Sequence, residues 1–288
     1  MASTRPASTG IPISVLLLAH NEEVNLPRCL AALDWCDDVA LVDDYSTDRS
    51  AEIARDAGAR VLQRRFDSFA SQRNFALDDA SFRHPWVLHL DADEVVTPAL
   101  VREMAQAVTT GQYLAFRIAS KLMWMGRWLR HAANYPVFQV RLGRNPGLRF
   151  VEVGHGQREA LASSLVGTLK EPYFHYPFSK GLEEWRRKHR RYAAKEAAAV
   201  VRGDYGLYGQ WRSLWGRDPA ERRRALKALS YRLPLRGTLR FLYSYVLCRG
   251  FLDGRAGLEY CRLIAWYEGF IAKHVRKLRT SKACGEQE

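Results

Sequence analysis

The chain has 288 residues, of which 47% are hydrophobic, and its formal net charge is +13. This length and hydrophobic content are sufficient for a packed core, so the composition excludes a largely disordered protein. Residues 1–10 lack a basic segment followed by a long apolar one, and we expect a disordered N-terminus without a secretory signal. The five cysteines show no zinc-binding spacing, which favours reduced thiols in a cytosolic setting.

The positive charge is concentrated in the second part of the chain. From Lys180 onward there are 25 Lys and Arg against 11 Asp and Glu, whereas residues 1–179 carry 19 against 20. A strongly basic segment favours anionic surfaces such as nucleic acid or acidic lipid headgroups. The sequence therefore predicts two parts of different character.

Strand and helix patterns alternate in the first part. Strands are predicted at 13–19, 39–43, 59–62 and 86–91, with helices at 22–33, 50–57 and 68–78 between them. Asn21 is available to cap the first helix and Gly58 to end the second. Right-handed crossovers make such a series a doubly wound parallel sheet.

The pattern changes after a helix that starts at Thr97-Pro98, where proline suits the first helical position. Short strands at 113–119, 137–142 and 148–153 follow without long helices between them. The sequence therefore predicts a small antiparallel part added to the parallel sheet.

The strand from Trp86 ends in a cluster of carboxylates at Asp91, Asp93 and Glu94. Ligands of open α/β sheets bind at the carboxyl ends of the strands. Residues two apart in an extended chain point to the same side, so we expect Asp91 and Asp93 to reach one divalent ion or one diphosphate–metal complex. Hard oxygen ligands of this kind suit Mg²⁺ or Mn²⁺.

The region from residue 179 is predicted to be helical, with helices beginning near Ser179 and spanning 257–278. Neither approaches the run of about 20 apolar residues that crosses a bilayer. Arginines interleaved with Leu, Phe and Tyr are typical of segments that lie on a membrane surface. The alternative is a helical cap with a solvated basic face. The predicted divisions are a disordered N-terminus at 1–10, a catalytic domain at 11–178 and a basic amphipathic region at 179–288 that binds membrane or acceptor.

Three motifs carry a family resemblance. They are Leu18-Ala19-His20-Asn21-Glu22-Glu23, Val42-Asp43-Asp44-Tyr45-Ser46-Thr47-Asp48 and Leu90-Asp91-Ala92-Asp93-Glu94. In this order and spacing they resemble the signature of family 2 glycosyltransferases with the GT-A fold. Later residues, His155-Gly156-Gln157-Arg158-Glu159 and His175-Tyr176, resemble those of members that build bacterial lipopolysaccharide cores and surface polysaccharides. The resemblance implies an α/β fold with a Rossmann-like, mostly parallel sheet, a small antiparallel part and a helical C-terminal region.

The resemblance implies an inverting transfer of a sugar from a nucleotide-diphosphate sugar, with UDP as the expected nucleotide, to a lipopolysaccharide core or lipid-linked saccharide. A divalent Mg²⁺ or Mn²⁺ would assist departure of the diphosphate. The implied metal ligands are Asp93, Asp91 and His175. The implied donor-binding residues are Ala19, Asn21, Glu22, Asp44, Arg73 and Asp91, with Asp44 at the base and Arg73 at the diphosphate.

Inversion requires a carboxylate that deprotonates the acceptor hydroxyl. Glu159 and Glu152 are both candidates, and Glu159 is preferred because it belongs to the family-like stretch. Some relatives of this kind carry a His-Glu pair where this chain has His155-Gly156, so the choice of carboxylate stays open. His155 would orient the acceptor or contact the diphosphate.

Two other classes match parts of the sequence. Asp91-Ala92-Asp93 also fits phosphatases of the HAD type, but there the motif ends the first strand of the domain, and here it ends the fourth. A nucleic-acid-binding protein would explain the basic second part, yet no zinc-finger, RRM or helix-turn-helix signature is present. We therefore expect as partners a nucleotide-sugar donor, a saccharide acceptor and an anionic membrane surface, without nucleic acid. The expected location is cytoplasmic, peripheral on the inner face of the cell membrane.

Overall fold

A computed structural model describes residues 10–153, 156–204, 214–215, 222, 225–226, 229–231 and 233–285. The chain divides into two compact units. The first unit contains the residues up to Trp128 together with 135–152 and 156–180, and the second contains 129–134 and the residues from Gly181 onward.

The first unit alternates strands and helices up to its fourth strand, as predicted. Its elements are β1 Ile13–Ala19, α1 Leu26–Ala31, β2 Val39–Asp43, α2 Ser50–Asp56, β3 Arg60–Gln63, α3 Phe69–Asp79 and β4 Trp86–Asp91. Then follow β5 Glu94–Val95, α4 Pro98–Ala107, β6 Ala115–Trp124, β7 Arg127–Trp128, β8 Phe138–Arg144, β9 Phe150–Val153, β10 Gly156–Glu159, β11 Val166–Thr168 and β12 Tyr173–His175.

The main sheet has the strand order β3-β2-β1-β4-β8-β6-β12-β5. Strands β3, β2, β1 and β4 are parallel, and β8 runs antiparallel to both β4 and β6. β9 and β10 form a separate pair. Because Leu18 pairs with Asp91 and Ala19 with Asp43, the carboxyl ends of β1, β2 and β4 meet at one edge. This is where the sequence predicted a site.

The central strand β1 is buried on both faces. Val15 and Leu17 pack in a cluster with α1 and α4, whereas Leu16 packs in a second cluster with α3. Strands covered by helices on both faces have continuous apolar sequences rather than alternating ones. The three layers thus follow from the apolar runs of the sequence and hold the strand ends rigidly.

Helix ends agree with the prediction at α2, α3 and α4 and differ at α1. The Ser68 and Thr97 hydroxyls accept the N–H groups that start α3 and α4, and Gly58 ends α2 with a φ of 73°. Asn21 does not cap the first helix, which begins only at Leu26. The Asn21 side chain is instead engaged by the loop after β2, and that competing interaction displaces the helix start.

The second unit is helical. Its helices are α5 Leu182–Arg202, α6 Arg236–Leu242 and α7 Gly254–Gly285. A π-helical turn, Tyr243–Leu247, continues α6, and a 3₁₀ turn, Gly250–Asp253, precedes α7. Apolar residues of α5 and α7, including Ala197 and Ile271, pack together. Among the described residues, no helix is long and apolar enough to span a bilayer.

Candidate active site

Asp91, the last residue of β4, is bound by two buried arginines. Arg73 Nη2 donates to Asp91 Oδ1 at 2.7 Å, and Arg141 Nη2 donates to Asp91 Oδ2 at 3.0 Å. Both arginines are almost fully buried, at 1% and 3% exposure, and buried cations require such partners. Both oxygens of Asp91 therefore already interact with cations, which makes Asp91 a weaker metal ligand than the sequence implied.

Glu94 forms the deepest part of this ion-pair cluster. Its Oε1 accepts a hydrogen bond from Arg141 Nη2 at 2.5 Å, and its Oε2 accepts one from the Asp91 backbone N–H at 3.0 Å. Burial raises the pKa of Glu94, and the positive charge of Arg141 opposes this rise. Glu94 thereby fixes the turn that follows β4. Sequence reasoning missed Arg141, although its position within the apolar strand 137–142 was a usable signal.

The chain turns at Ala92 and Asp93 instead of remaining extended. The expectation that Asp91 and Asp93 point to the same side of one strand is therefore wrong, because it assumed an extended backbone. The antiparallel pairing of β5 with β12 puts Glu94 opposite His175 and brings His175 Nε2 to 3.4 Å from Asp93 Oδ2. Burial alone would lower the pKa of His175, but the Asp93 carboxylate outweighs it, and the pKa is raised.

The pair of Asp93 and His175 fits a metal that is only partly held by protein. The described residues contain no group of three or more His, Cys, Asp or Glu able to hold an ion. Mg²⁺ in phosphate-binding sites needs only one or two carboxylates, and substrate phosphates and water supply the other ligands. Asp93 therefore suits such a site, with His175 beside it, whereas Asp91 is engaged by arginines.

The loops after β1 and β2 are held together by reciprocal hydrogen bonds. The Thr47 N–H donates to Asn21 Oδ1 at 2.8 Å, and the Asn21 N–H donates to Ser46 Oγ at 2.9 Å. The Glu22 N–H donates to Ser50 Oγ at 2.6 Å. Asn21 has a φ of 54°, a left-handed conformation that asparagine tolerates better than most residues. These bonds fix the backbone beside the ends of both strands.

Glu22 is bound on both sides. Lys180 Nζ donates to Glu22 Oε1 at 2.6 Å, and Asn25 Nδ2 donates to Oε2 at 2.7 Å. Burial raises the pKa of Glu22, against the effects of Asn25 and Lys180. Lys180 also donates to the carbonyls of His20 and Asn21. It was not among the predicted site residues, although the family-like stretch at 179–181 contains it.

Asp44 lies at the expected edge of the sheet and is partly exposed. Its backbone N–H donates to the Ala19 carbonyl at 3.0 Å, which places the two residues side by side. Asp44 Oδ1 accepts from the Phe66 N–H at 2.9 Å, and Oδ2 lies 3.3 Å from His20 Nδ1. The carboxylate is thus oriented by the backbone while 26% of the side chain is accessible to a ligand.

Arg73 differs from its predicted environment. We expected it to contact a diphosphate, but its guanidinium is buried and bound by Asp91 and by Gln157, whose Oε1 accepts from Arg73 Nε at 3.1 Å. Burial lowers the pKa of Arg73 to about 10, with Asp91 opposing. Its Nη1 has no hydrogen-bond partner among the described residues. Arg73 therefore links β4 to β10.

The two candidate bases lie on different strands. Glu159 is half-buried on β10, and strand alternation places it on the same face as Gln157, which contacts Arg73. Glu152 is exposed on β9 and lines an open groove along α3. The geometry brings Glu159 closer in the network to Asp91. His155 lies outside the described residues.

The strand order and the acid-bearing strand ends define an α/β fold of the GT-A class, which confirms the predicted fold. Residues 14–156 match the model of glycosyl transferase family 2, and this region of the chain belongs to that family. The chain is therefore a glycosyltransferase.

Relatives with this name are found in several bacteria. The chain is 29% identical over 167 residues to a lipopolysaccharide core biosynthesis glycosyltransferase, LpsC, of Rhizobium meliloti, a match covering 56% of this chain and 58% of the relative. It is 30% identical over 118 residues to an uncharacterized glycosyltransferase of Rickettsia typhi, covering 40% of each. The chain thus spans about half the length of these curated relatives.

Two solved structures are similar to the chain. Glucosyl-3-phosphoglycerate synthase from Mycobacterium tuberculosis matches 67% of this chain and 80% of its own, with 18% identity and a TM-score of 0.48. S. aureus TarS 1–349 in complex with UDP-GlcNAc matches 92% and 91%, with 15% identity and a TM-score of 0.43.

Proposed function

We propose that the protein is an inverting glycosyltransferase that moves a sugar from a UDP-sugar to a saccharide on a lipopolysaccharide core or lipid carrier. The observation that carries the proposal is the meeting of the β1, β2 and β4 ends in a family 2 region, with Ala19 paired to Asp43 and Leu18 to Asp91. The acceptor class is supported by the similarity to the Rhizobium relative. Donor hydrolysis measured across a panel of UDP- and GDP-sugars tests the proposal, and no hydrolysis of any donor contradicts it.

The nucleotide binds, in this proposal, beside the interlocked loops after β1 and β2. Asp44 presents an oriented and partly exposed carboxylate that can accept a hydrogen bond from the base. Ala19, Asn21 and Glu22 form the border of this pocket through backbone fixed by Ser46 and Lys180. A preformed pocket of this kind binds its ligand with little loss of chain entropy.

The diphosphate lies toward the turn after β4. Asp93, with His175 beside it, would hold a Mg²⁺ or Mn²⁺ ion. Such an ion, when bound, neutralises charge that develops on the departing diphosphate. Asp91 and Arg73 support this end of the pocket through their ion pair and keep the turn in place.

Glu159 deprotonates the acceptor hydroxyl in this mechanism. Its support is its face of β10, shared with Gln157, and the contact of Gln157 with Arg73. Departure of UDP on one side of the sugar and attack by the deprotonated hydroxyl from the other side gives inversion. His155 retains its proposed role in orienting the acceptor.

We expect Asp44→Asn to weaken UDP binding about tenfold, because it converts a charged hydrogen-bond acceptor into a neutral amide. The maximal rate should fall less than the affinity, since the contact exists before the transition state. Isothermal titration calorimetry with UDP measures the change. Asp56→Asn, at an exposed position of α2, is the matched control and should bind as wild type does. An unchanged dissociation constant in Asp44→Asn would show that Asp44 does not contact the base.

We expect Glu159→Gln to lower turnover about 10²-fold, because the variant cannot accept the acceptor proton. UDP affinity should be retained, and calorimetry checks this alongside the rate. Glu152→Gln is the matched control and should keep nearly full turnover. The opposite pattern in the two variants would exchange their roles.

The second unit brings the enzyme, in this proposal, to the cytoplasmic face of the membrane, where a lipid-linked acceptor presents its sugar. Its excess of basic residues supports attraction to acidic headgroups. Not all of its arginines are available for this role. Arg236 is buried and donates to Glu268 Oε2 at 2.6 Å, whereas Arg222 is exposed. Arg223 and Arg224 lie outside the described residues.

A further inference from the structure

Helix α6 and the turn that continues it expose apolar side chains on one side. Leu235, Leu239, Leu242 and Val246 recur at intervals of four, three and four residues, which is the spacing of a single helical face. These four residues are 75%, 42%, 48% and 52% exposed, and Leu247 is 74% exposed. Contiguous apolar surface of this kind is unusual on a protein that meets only water.

The opposite side of α6 is polar or small. Arg236 and Ser244 are buried there, at 6% and 2% exposure. At Gly237 a Cβ atom would lie 2.6 Å from the Ala265 carbonyl oxygen, so α6 lies directly against the backbone of α7. Helices on the surface of water-soluble proteins bury their leucines and expose their charges. The reversed arrangement of α6 indicates an apolar environment outside it.

Leu233, Phe251 and Leu252 are also exposed and extend the same segment. We call the exposed residues Leu233, Leu235, Leu239, Leu242, Val246, Leu247, Phe251 and Leu252 the apolar face. The segment 233–252 contains three arginines and no Asp or Glu. Asp253, which follows, is buried and accepts hydrogen bonds from the backbone N–H groups of His131 and Ala132.

We propose that the apolar face inserts into the outer part of a phospholipid leaflet. The inference deepens the proposed membrane association and rests on it, but it assigns the binding to inserted leucines rather than to charge alone. The arginines of the segment, including the exposed Arg249, match anionic headgroups at the edge of an apolar layer. A second copy of the chain would instead bring these arginines against like charges.

Vesicle flotation of the full chain tests the proposal. The probes are vesicles of phosphatidylcholine alone and of phosphatidylcholine mixed with phosphatidylglycerol, each at low and high salt. We expect wild-type protein to float with both, and flotation to persist at high salt because apolar insertion is not screened. The triple variant Leu239→Gln, Leu242→Gln, Val246→Gln should reduce the partition coefficient at least about tenfold.

The matched control is Leu226→Gln with Leu278→Gln, two exposed leucines outside the apolar face, and it should float as wild type does. UDP binding by calorimetry shows whether each variant is folded. If the triple variant misfolds, Leu247→Gln replaces it, because that side chain is largely exposed and its change should lower partitioning in the same direction.

Three outcomes would overturn the inference. Wild-type protein might be absent from floated vesicles of both kinds, the triple variant might float unchanged, or high salt might release the wild type completely. Light scattering is the further check: a wild-type dimer that the triple variant dissociates, without flotation, assigns the apolar face to a contact between copies. Wild-type protein that floats but neither binds UDP nor hydrolyses a sugar donor refutes the proposed function while the inserted face stands.

Discussion

Arg141→Met is expected to lower the free energy of unfolding by about 3–5 kcal/mol, because it leaves the charge of Glu94 buried without its partner. Arg141 is 3% exposed and donates to both Asp91 and Glu94. Methionine fills similar volume, so the effect reports the lost charge rather than a cavity. Urea unfolding followed by tryptophan fluorescence measures it.

Arg144→Met is the matched control on the same strand, since Arg144 is exposed, and it should change stability by less than about 0.5 kcal/mol. The double variant Arg141→Met, Glu94→Gln should recover part of the loss, because the amide carries no charge to compensate. A loss in Arg141→Met no larger than in the Arg144→Met control would mean that Glu94 is protonated and the ion pair adds little.

Asp93→Asn is expected to reduce sugar transfer about 10³-fold with an unchanged melting temperature. The carboxylate is the proposed metal ligand, and electrostatic stabilisation of a leaving diphosphate is worth that much when one group is removed. Initial rates with a UDP-sugar measure the loss, and Mn²⁺ titration calorimetry reports metal affinity separately from rate.

Asp79→Asn, at an exposed position on α3, controls for the loss of one negative charge. Its rate and metal affinity should match those of wild type. Full transfer by Asp93→Asn, or by wild-type enzyme in excess EDTA, would refute the metal-dependent mechanism.

The order of strands and helices in the first unit was predictable because local patterns determine it. β2, Val39–Asp43, is an unbroken buried run, and Ser68 and Thr97 mark helix starts through their own hydroxyls. The meeting of strand ends then followed from right-handed crossovers. These features depend on residues that are near each other in sequence.

The side-chain pairs of the site depend on contacts between distant parts of the chain, and sequence patterns do not specify those. Arg141 reaches Asp91 across 50 positions. β12 pairs with the two-residue strand β5 and so places His175 beside Asp93, which no periodicity indicates. The assumption of an extended chain at Asp93 failed because Glu94 accepts the Asp91 N–H and holds a turn there.

The reciprocal bonds between the loops after β1 and β2 also constrain how this site can change over time. Asn21 both donates to Ser46 and accepts from Thr47, so a substitution in one loop removes support from the other. Effects of changes at such linked positions are not additive. The two loops can therefore diverge only together, and a different nucleotide preference would require paired substitutions on both sides of the pocket.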